Sequence, residues 1–229
     1  MYTLHVGNKN YSSWSLRPWL LLREMDIPFE EKLTPFVEGG SYALFRSFSP
    51  TGSVPVLIDD GLVVCESLAI VEYLAERHVG IWPADPVARA FARCAAAEMH
   101  AGFAALRNDC TMNCGLRVRL HGVSAALQRD LDRLGEIWNE GLAGFGGPFL
   151  AGDRFSAADA FFAPVALRMQ TYGLRLDPVS MTYAERLLRL EGMRDWYAAA
   201  LAEPFREVLH EGELASFGDV LEDLRCPPA

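Results

Sequence analysis

The sequence has no two cysteines separated by two residues, and its five cysteines are an odd number spread along the chain. Both features argue against a disulfide framework and against a zinc site. Cys110 and Cys114 lie four residues apart, and we interpret them as ordinary packing residues. The thiols are therefore expected to be reduced, as in a cytoplasm.

The chain also has little that would direct it to a membrane or to nucleic acid. It has no run of 18 apolar residues, and its start lacks the basic segment and long apolar stretch of a signal peptide. Its formal charge of −9 argues against nucleic acid or an anionic membrane as the main partner. A small acidic ligand remains compatible, because one local basic site outweighs a diffuse negative surface at short range.

Internal repeats and low-complexity tracts are absent as well, whereas apolar material for a sizeable core is plentiful. Of the 229 residues, 51% are hydrophobic and 22% are charged. Over residues 1–80, hydrophobic patterns predict the order strand, helix, strand, irregular stretch, strand, strand, helix. We interpret this region as an α/β domain.

The pattern changes after "GIWPADP" (residues 80–86), where strand patterns nearly vanish and alanine-rich amphipathic segments dominate. The predicted helical segments are about 87–114, 121–141, 156–171, 182–190 and 192–202. We therefore predict an all-α domain over residues 87–229, with the boundary near residues 79–86.

The stretch "SPTGSVPVL" (residues 49–57) places Pro55 at the entrance to a predicted strand. A trans proline is tolerated there, since the first residue of a strand can lack an N–H. The alternative is a cis peptide between Val54 and Pro55, which costs only about 0.5–1 kcal/mol before proline. The N–H and C=O of Val54 would then point outward and could pair with an extended ligand. The residues alone leave both conformations open.

Glu66 and Ser67 fall where a predicted strand ends and a helix begins. Ser67 could simply cap that helix. Alternatively, the free N–H groups and positive dipole end of the helix bind a carboxylate, while Glu66 accepts a hydrogen bond from a ligand ammonium. A site with both features suits an α-amino acid head group.

Four motifs follow one another along the chain: "SSWS" (residues 12–15), "SVPVL" (53–57), "ESLAI" (66–70) and "GDRFSAAD" (152–159). In the last, Ser156 and Asp159 have the spacing of a capping box, which is a folding signal. Together with the order of strands and helices, these motifs resemble the cytosolic glutathione S-transferase family over nearly the whole chain. The serine-rich first loop is similar to that of the zeta and tau classes, in a chain that looks like a bacterial member.

The resemblance implies a glutathione S-transferase fold, with a thioredoxin-like glutathione-binding domain and an all-helical domain that forms the electrophile pocket. It implies cis-Pro55, with Val54 pairing with the cysteinyl backbone of glutathione, and Glu66 and Ser67 holding the γ-glutamyl end. It further implies glutathione as cosubstrate without a metal, a small hydrophobic electrophile as second substrate, and a homodimer.

The activating hydroxyl of this family lies just after the first strand, where this chain has "NYSSWSLRPWLLL" (residues 10–22). By resemblance to the zeta pattern, Ser12 is assigned to the sulfur of glutathione, with Ser13 in reserve. The adjacent Tyr11 is a further alternative.

Pro18 bears on the start of the helix predicted over about residues 16–25. If Ser15 is the N-cap, Pro18 falls at N3, where an N–H needs no intrahelical partner. With Ser12 as the cap, Pro18 would fall at N6 and cost a helical hydrogen bond. We therefore predict that Ser15 caps the helix and that Ser12 and Ser13 lie in the preceding loop.

The second substrate is expected between the two domains, against the first helix of the second one. Phe103 lies on an apolar stripe of that helix, which suits either core packing or a pocket wall. Arg107, at the edge of the stripe, favours an anionic partner, either a ligand carboxylate or a structural salt bridge. Met112 and Tyr172 are predicted for the same pocket.

The chain departs from the family at Ser53, where many relatives have Lys or Gln that helps to hold the glycyl end of glutathione. Serine is shorter, so the affinity is expected to be lower unless another group substitutes. Lys32, Arg17 and Arg46 are candidates for that role.

The main hypothesis is a glutathione S-transferase that conjugates the glutathione thiolate to small hydrophobic electrophiles. The second is a glutathione-dependent isomerase or dehalogenase. Zeta-class maleylacetoacetate isomerases carry an arginine seven residues after the proline that follows the capping box, where this chain has Thr171, with Arg168 one turn earlier. The third is a non-catalytic regulatory protein with the same fold. The five histidines have no ligand-like spacing, so no metal is assigned to them.

Overall fold

Four strands and three helices alternate over the first 80 residues of the computed structural model, which describes residues 1–227. The elements in chain order are β1 (Tyr2–Val6), α1 (Ser13–Glu24), β2 (Phe29–Leu33), α2 (Tyr42–Phe45), β3 (Val56–Asp59), β4 (Leu62–Cys65), α3 (Ser67–Ala75), α4 (Pro86–Ala101), α5 (Ala104–Asp109), β5 (Leu116–Leu120), α6 (Ala125–Phe145), α7 (Ala157–Tyr172), α8 (Pro178–Arg189), α9 (Glu191–Ala202), α10 (Val208–Ala215) and β6 (Gly218–Asp223).

The first four strands form one mixed sheet in the order β2-β1-β3-β4. β1 runs parallel to β2 and antiparallel to β3, and β3 and β4 form a hairpin. Leu4 and Val6 of β1 are fully buried, in keeping with the alternation seen in the sequence. Helices α1 and α3 pack against each other and against the central strands β1 and β3. The predicted order of strands and helices is observed, except that the stretch predicted to be irregular contains the short helix α2.

The helical part of the chain is organised around α7. Every residue from Ala157 to Met169 is buried, as expected for a helix that is apolar on all sides. It contacts α4, α8 and β5, and also α1 from the sheet region. The α1–α7 contact therefore fixes the start of α1 against the helical part, where the candidate site lies.

The region beyond residue 86 is not wholly helical, which corrects the sequence prediction. β5 and β6 form an antiparallel pair, and the predicted helix over 87–114 is interrupted between α4 and α5. Phe103, at the interruption, has a left-handed backbone with φ 58°. The two strands are about 100 residues apart, so their pairing depends on tertiary context that local patterns do not carry.

The predicted capping box is present at the start of α7. One carboxylate oxygen of Asp159 accepts from the N–H and the hydroxyl of Ser156, at 2.9 and 3.0 Å. The other accepts from the Leu150 N–H at 3.0 Å and from the Tyr183 hydroxyl at 2.8 Å. This fully buried carboxylate therefore ties the helix start to a preceding loop and to α8.

Asp159→Asn is expected to lower the free energy of unfolding by about 1.5 kcal/mol, because the new amide NH2 faces two donors instead of accepting from them. Urea denaturation followed by circular dichroism measures this loss. Asp153→Asn, at an exposed position of the same loop, is the matched control. Equal midpoints for the two variants would contradict a structural role for the Asp159 carboxylate.

Candidate active site

A cavity of about 610 Å³ opens between the start of α1, the approach to β3, and helices α5, α7 and α10. The alternative Tyr11 lines it, and so do six of the predicted site residues: Ser12, Ser13, Ser53, Val54, Arg107 and Met112. Arg107 and Arg168 contribute two guanidinium groups to the same wall. The cavity is thus lined by serine hydroxyl groups, by the backbone segment that precedes β3, and by two arginine side chains.

The serines lie at the first turn of α1, but the predicted cap is wrong. The helix begins at Ser13, Ser12 is the N-cap residue, and Pro18 lies inside the helix. The fully buried Ser15 side chain instead accepts from the Gly7 N–H at 3.2 Å. The helix thus tolerates the loss of one backbone hydrogen bond at Pro18. The Ser15 side chain is used instead to hold Gly7, the first residue after β1.

The hydroxyl of Ser12 donates to the hydroxyl of Ser15 at 2.7 Å. The Ser13 hydroxyl lies 3.4 Å from an Nη of Arg168, which donates to it. Ser12 and Ser13 are 5% and 6% exposed and both face the cavity. A ligand atom placed here would meet two hydroxyl groups and the positive end of the α1 dipole.

Tyr11, the alternative to the serines, has its hydroxyl engaged elsewhere. It donates to Glu211 at 2.6 Å, and Arg225 lies 3.4 Å from the same oxygen. Burial, together with the hydrogen bond to Glu211, raises the pKa of Tyr11 above its ordinary value. A bound thiolate would have to compete with the Glu211 carboxylate for this proton, which favours the serines as donors.

The Val54–Pro55 peptide is cis, as the resemblance implied. Within residues 1–227, neither the N–H nor the C=O of Val54 has a hydrogen-bond partner. Val54 lines the cavity and Pro55 does not. One edge of the cavity therefore offers a free backbone donor and acceptor to an extended ligand.

At the start of α3, the cap is Glu66 rather than Ser67, which corrects the local interpretation. Glu66 has φ 75°, and its carboxylate lies 3.6 Å from Nε2 of His100. The Ser67 hydroxyl is buried and has no partner in the part of the chain that the structure describes. Neither residue lines the main cavity, but the helix N-terminus and the unpaired hydroxyl offer two donors to a carboxylate.

Arg17 is the functional candidate that the sequence placed least well, since it was considered only for the glycyl end of a ligand. Its side chain is fully buried, and none of its guanidinium nitrogens has a partner within residues 1–227. The guanidinium carbon lies 4.0 Å from the ring centre of Trp14 and 5.1 Å from that of Phe161. Burial lowers the pKa of Arg17 well below its ordinary value, and the charges of Arg168 and Arg107 add to that effect.

Only the Glu66 carboxylate opposes this shift in the pKa of Arg17. A buried guanidinium without a hydrogen-bonded partner is costly, since an unpaired charge loses its hydration without compensation. An anion bound near Glu66 and Ser67 would supply the missing negative charge. No sequence motif indicates this, because Phe161 and Glu66, which lie around or act on the Arg17 guanidinium, are far from it along the chain.

Arg107 forms no salt bridge in the described part of the chain. One of its nitrogens donates to the carbonyl oxygens of Met99 and His100, at 3.1 and 3.4 Å. Arg168 is likewise buried, and its Nε donates to the Cys110 carbonyl at 2.8 Å. Burial is the main cause that lowers the pKa of Arg168 to about 10. Both guanidinium groups retain donors for an anionic ligand in the cavity.

Two predicted pocket residues do not line this cavity. Phe103 is buried in the core, because the left-handed break before α5 turns its side chain out of the expected helical stripe. The Tyr172 hydroxyl donates to the Thr111 carbonyl at 2.8 Å and lies behind the wall. Phe103 and Tyr172, which were predicted to line the pocket, therefore do not line this cavity.

The wall opposite the arginines comes from the segment that begins α10, which the sequence did not predict. Glu207, Leu209, His210 and Glu213 line the cavity there. The His210 ring stacks on Phe36 with 5.5 Å between centres, and its Nδ1 lies 2.8 Å from Glu207. The α10 segment is short, so its position depends on these contacts rather than on a strong helical pattern.

In residues 1–227, no group of three His, Cys, Asp or Glu side chains is placed to hold a metal ion. The helices of the same range include none that is long and apolar enough to cross a bilayer.

Two family models match the chain. A glutathione S-transferase N-terminal domain model matches residues 11–77, and a glutathione S-transferase C-terminal domain model matches residues 119–199. Together they cover more than half of the chain.

Curated relatives of the chain include enzymes named for an isomerisation. A probable maleylacetoacetate isomerase of Caenorhabditis elegans is 36% identical over 98 residues, which is 42% of this chain and 45% of that protein. The match thus spans less than half of that relative's length. The probable maleylacetoacetate isomerase 1 of Drosophila melanogaster is 29% identical over 72% of this chain and 68% of its own.

Among solved structures, a glutathione transferase homolog from Burkholderia with bound glutathione has a TM-score of 0.66 and 24% identity. The alignment covers 87% of this chain and 97% of that one. This likeness confirms the predicted fold, a thioredoxin-like sheet region followed by a helical region.

Proposed function

This chain belongs to the glutathione S-transferase family, and from that premise we propose that it adds the thiolate of glutathione to small hydrophobic electrophiles. We propose with it the two-domain division at residues 79–86, a cytoplasmic location and a homodimer. Members of one family can catalyse different reactions, so the reaction proposed for this chain depends on its own residues.

The observation that carries the proposal is that the Ser67 hydroxyl and the backbone N–H and C=O of Val54 have no partner within residues 1–227, while the Ser12 hydroxyl, which donates to Ser15, belongs to a residue of the cavity wall. The buried Ser67 hydroxyl at the start of α3 would donate to the γ-glutamyl carboxylate. The free N–H and C=O of Val54 would pair with the cysteinyl backbone. Ser12, on the cavity wall, would then face the sulfur.

The chemistry that Ser12 would perform is stabilisation of an anion. A free thiol with a pKa of about 8.5 is only about 3% thiolate at pH 7. Lowering that pKa by roughly two units makes the thiolate the main form and requires about 2.7 kcal/mol of differential stabilisation. A serine O–H donor and the α1 dipole supply interactions of this kind. The serine forms no bond to the electrophile.

Retention on immobilised glutathione and turnover of a general aryl halide acceptor test the proposal together. We expect retention, elution by free glutathione, and formation of the conjugate. Ser67→Ala should reduce retention, whereas Ser47→Ala, at an exposed position that does not line the cavity, should not. Absence of retention would favour the regulatory hypothesis and contradict the proposal.

A second function, glutathione-dependent isomerisation or dehalogenation of an anionic substrate, is favoured by Arg107 and Arg168. Both residues line the cavity, Arg168 buried and Arg107 half-buried, and the relatives named as maleylacetoacetate isomerases carry out chemistry of this class by name. Retention on glutathione without aryl halide turnover would favour this second function.

A further inference from the structure

We infer that the thiol site accepts a glutathione whose glycyl carboxyl group carries no charge, such as an amide or an ester, as well as it accepts free glutathione. This inference rests on the proposed function and concerns which thiol peptide the same site binds. Its basis is the distribution of charged groups around the cavity.

The direction of the bound peptide follows from the free backbone groups. If the γ-glutamyl end lies at Ser67 and the cysteinyl unit pairs with Val54, the glycyl end must lie beyond Val54 on the side away from α3. That side of the cavity is formed by Ser53 and by the loop of residues 36–42. The glycyl carboxyl group would therefore lie near Ser53 and the loop residue Ser41.

Within residues 1–227, the 36–42 loop and the 52–54 segment contribute no basic residue to this side of the cavity. The lining residues of the 36–42 loop and of the 52–54 segment are apolar or small and uncharged: Phe36, Val37, Gly40, Ser41, Tyr42, Gly52, Ser53 and Val54. Among residues 1–227, the basic residues that line the cavity are Arg107, Arg168 and His210, and the His210 ring is already engaged with the Glu207 carboxylate at 2.8 Å. The two arginines belong to α5 and α7, and Arg168 lies against Ser13, on the opposite wall.

The other nearby basic side chains are engaged with partners of their own. The chain has only two lysines: Lys9 lies 2.8 Å from Glu31, and Lys32 lies 3.8 Å from Glu30. Arg46 donates to the carbonyl of Pro50 in its own turn. None of these side chains lines the cavity.

Acidic residues approach the cavity from the α10 segment that faces the 36–42 loop. Glu207 and Glu213 line the cavity there, and His210 stacks on Phe36 while it pairs with Glu207. Glu213 is exposed and has no basic partner within 4 Å in the described range. A free glycyl carboxylate would thus meet hydroxyl groups and a carboxylate, whereas an amide or ester avoids the repulsion.

Comparison of glutathione with its glycyl monoethyl ester and its glycyl amide tests the inference on the full-length protein. Calorimetric dissociation constants for the three thiols are expected to agree within about threefold. A site with a cation at this end would instead bind the neutral forms about tenfold or more weakly than free glutathione, because a charge-assisted hydrogen bond is removed.

Introducing a cation at the expected position gives the reciprocal test. Ser53→Lys should make free glutathione bind about tenfold more tightly than the ester, whereas Ser47→Lys, at an exposed position outside the cavity, should leave their ratio unchanged. Arg46→Ala should also leave the ratio unchanged.

The outcomes separate this inference from the proposed function. If the wild-type protein binds glutathione but binds the ester and the amide tenfold or more weakly, only the inference is overturned. The same holds if the wild-type protein prefers free glutathione and Arg46→Ala abolishes that preference. If Ser53→Lys leaves the ratio unaltered, the glycyl end does not lie at Ser53 and the inference fails. If none of the three thiols binds, the proposed function fails with it.

Discussion

Ser12→Ala is expected to reduce kcat for aryl halide conjugation about 100-fold and to raise the pKa of bound glutathione by about two units, since loss of one preorganised donor to an anion costs about 2.7 kcal/mol. Ser12 is well placed for this role because its hydroxyl already lies on the cavity wall. Its hydroxyl donates to Ser15 at 2.7 Å, so donation to a sulfur atom requires that the hydroxyl proton rotate from Ser15 toward the ligand.

The measurement is the pH dependence of kcat, together with ultraviolet titration of the thiolate in the binary complex. With Ser12→Ala, the rising limb of the pH–rate profile should move to higher pH, while the affinity for glutathione changes little. Ser12→Thr, which keeps the hydroxyl, should restore most of the activity.

Ser13→Ala is the matched control for Ser12, since it removes a neighbouring hydroxyl of similar burial. A smaller effect is expected, because the Ser13 hydroxyl accepts from Arg168 in the unliganded protein. If Ser13→Ala shifts the pH–rate profile and Ser12→Ala does not, the two assignments are exchanged. If neither does, the serine mechanism is contradicted.

Arg17→Met is expected to change stability and ligand binding in opposite directions. The unliganded protein should gain about 2 kcal/mol of unfolding free energy, because a buried guanidinium without a partner is replaced by an apolar side chain of similar length. Glutathione should bind about 30-fold more weakly, since the γ-glutamyl carboxylate loses a buried cation that interacts electrostatically with Glu66, the residue before Ser67.

Urea denaturation with and without saturating glutathione measures both effects in one experiment. The variant should be more stable than the wild type without ligand and should gain less stability when ligand is added. Arg23→Met is the matched control on the same helix, because Arg23 is partly exposed and pairs with Asp195. A variant that is destabilised without glutathione, and binds it normally, would show that Arg17 is only a packing residue.

Local motifs in the sequence predicted those features of the site that depend on a few neighbouring residues. The successive strands β3 and β4 and the capping box of Asp159 are encoded within short segments by apolar patterns and by hydrogen bonds that reach three residues along the chain. The cis peptide before Pro55 is also a local feature, but the residues alone left cis and trans open and only the resemblance favoured cis.

The start of α1 shows where local reasoning stops. A proline at N6 costs a helical hydrogen bond, and on that basis Ser15 was predicted to be the cap. The structure begins the helix three residues earlier, and the Ser15 hydroxyl instead holds the Gly7 backbone. That contact joins two parts of the chain and outweighs the local preference.

The sequence by itself determined the order of the four strands within residues 1–80, the family, and the hydroxyl and backbone groups that we propose for a thiol site, because each follows from periodicity or from motifs of a few residues. Only the tertiary structure decided that Arg17 is buried without a partner, that Phe103 turns into the core, and that β5 pairs with β6. These features depend on contacts between distant segments. The charge around a ligand is the sum of such contacts, and no local pattern specifies it.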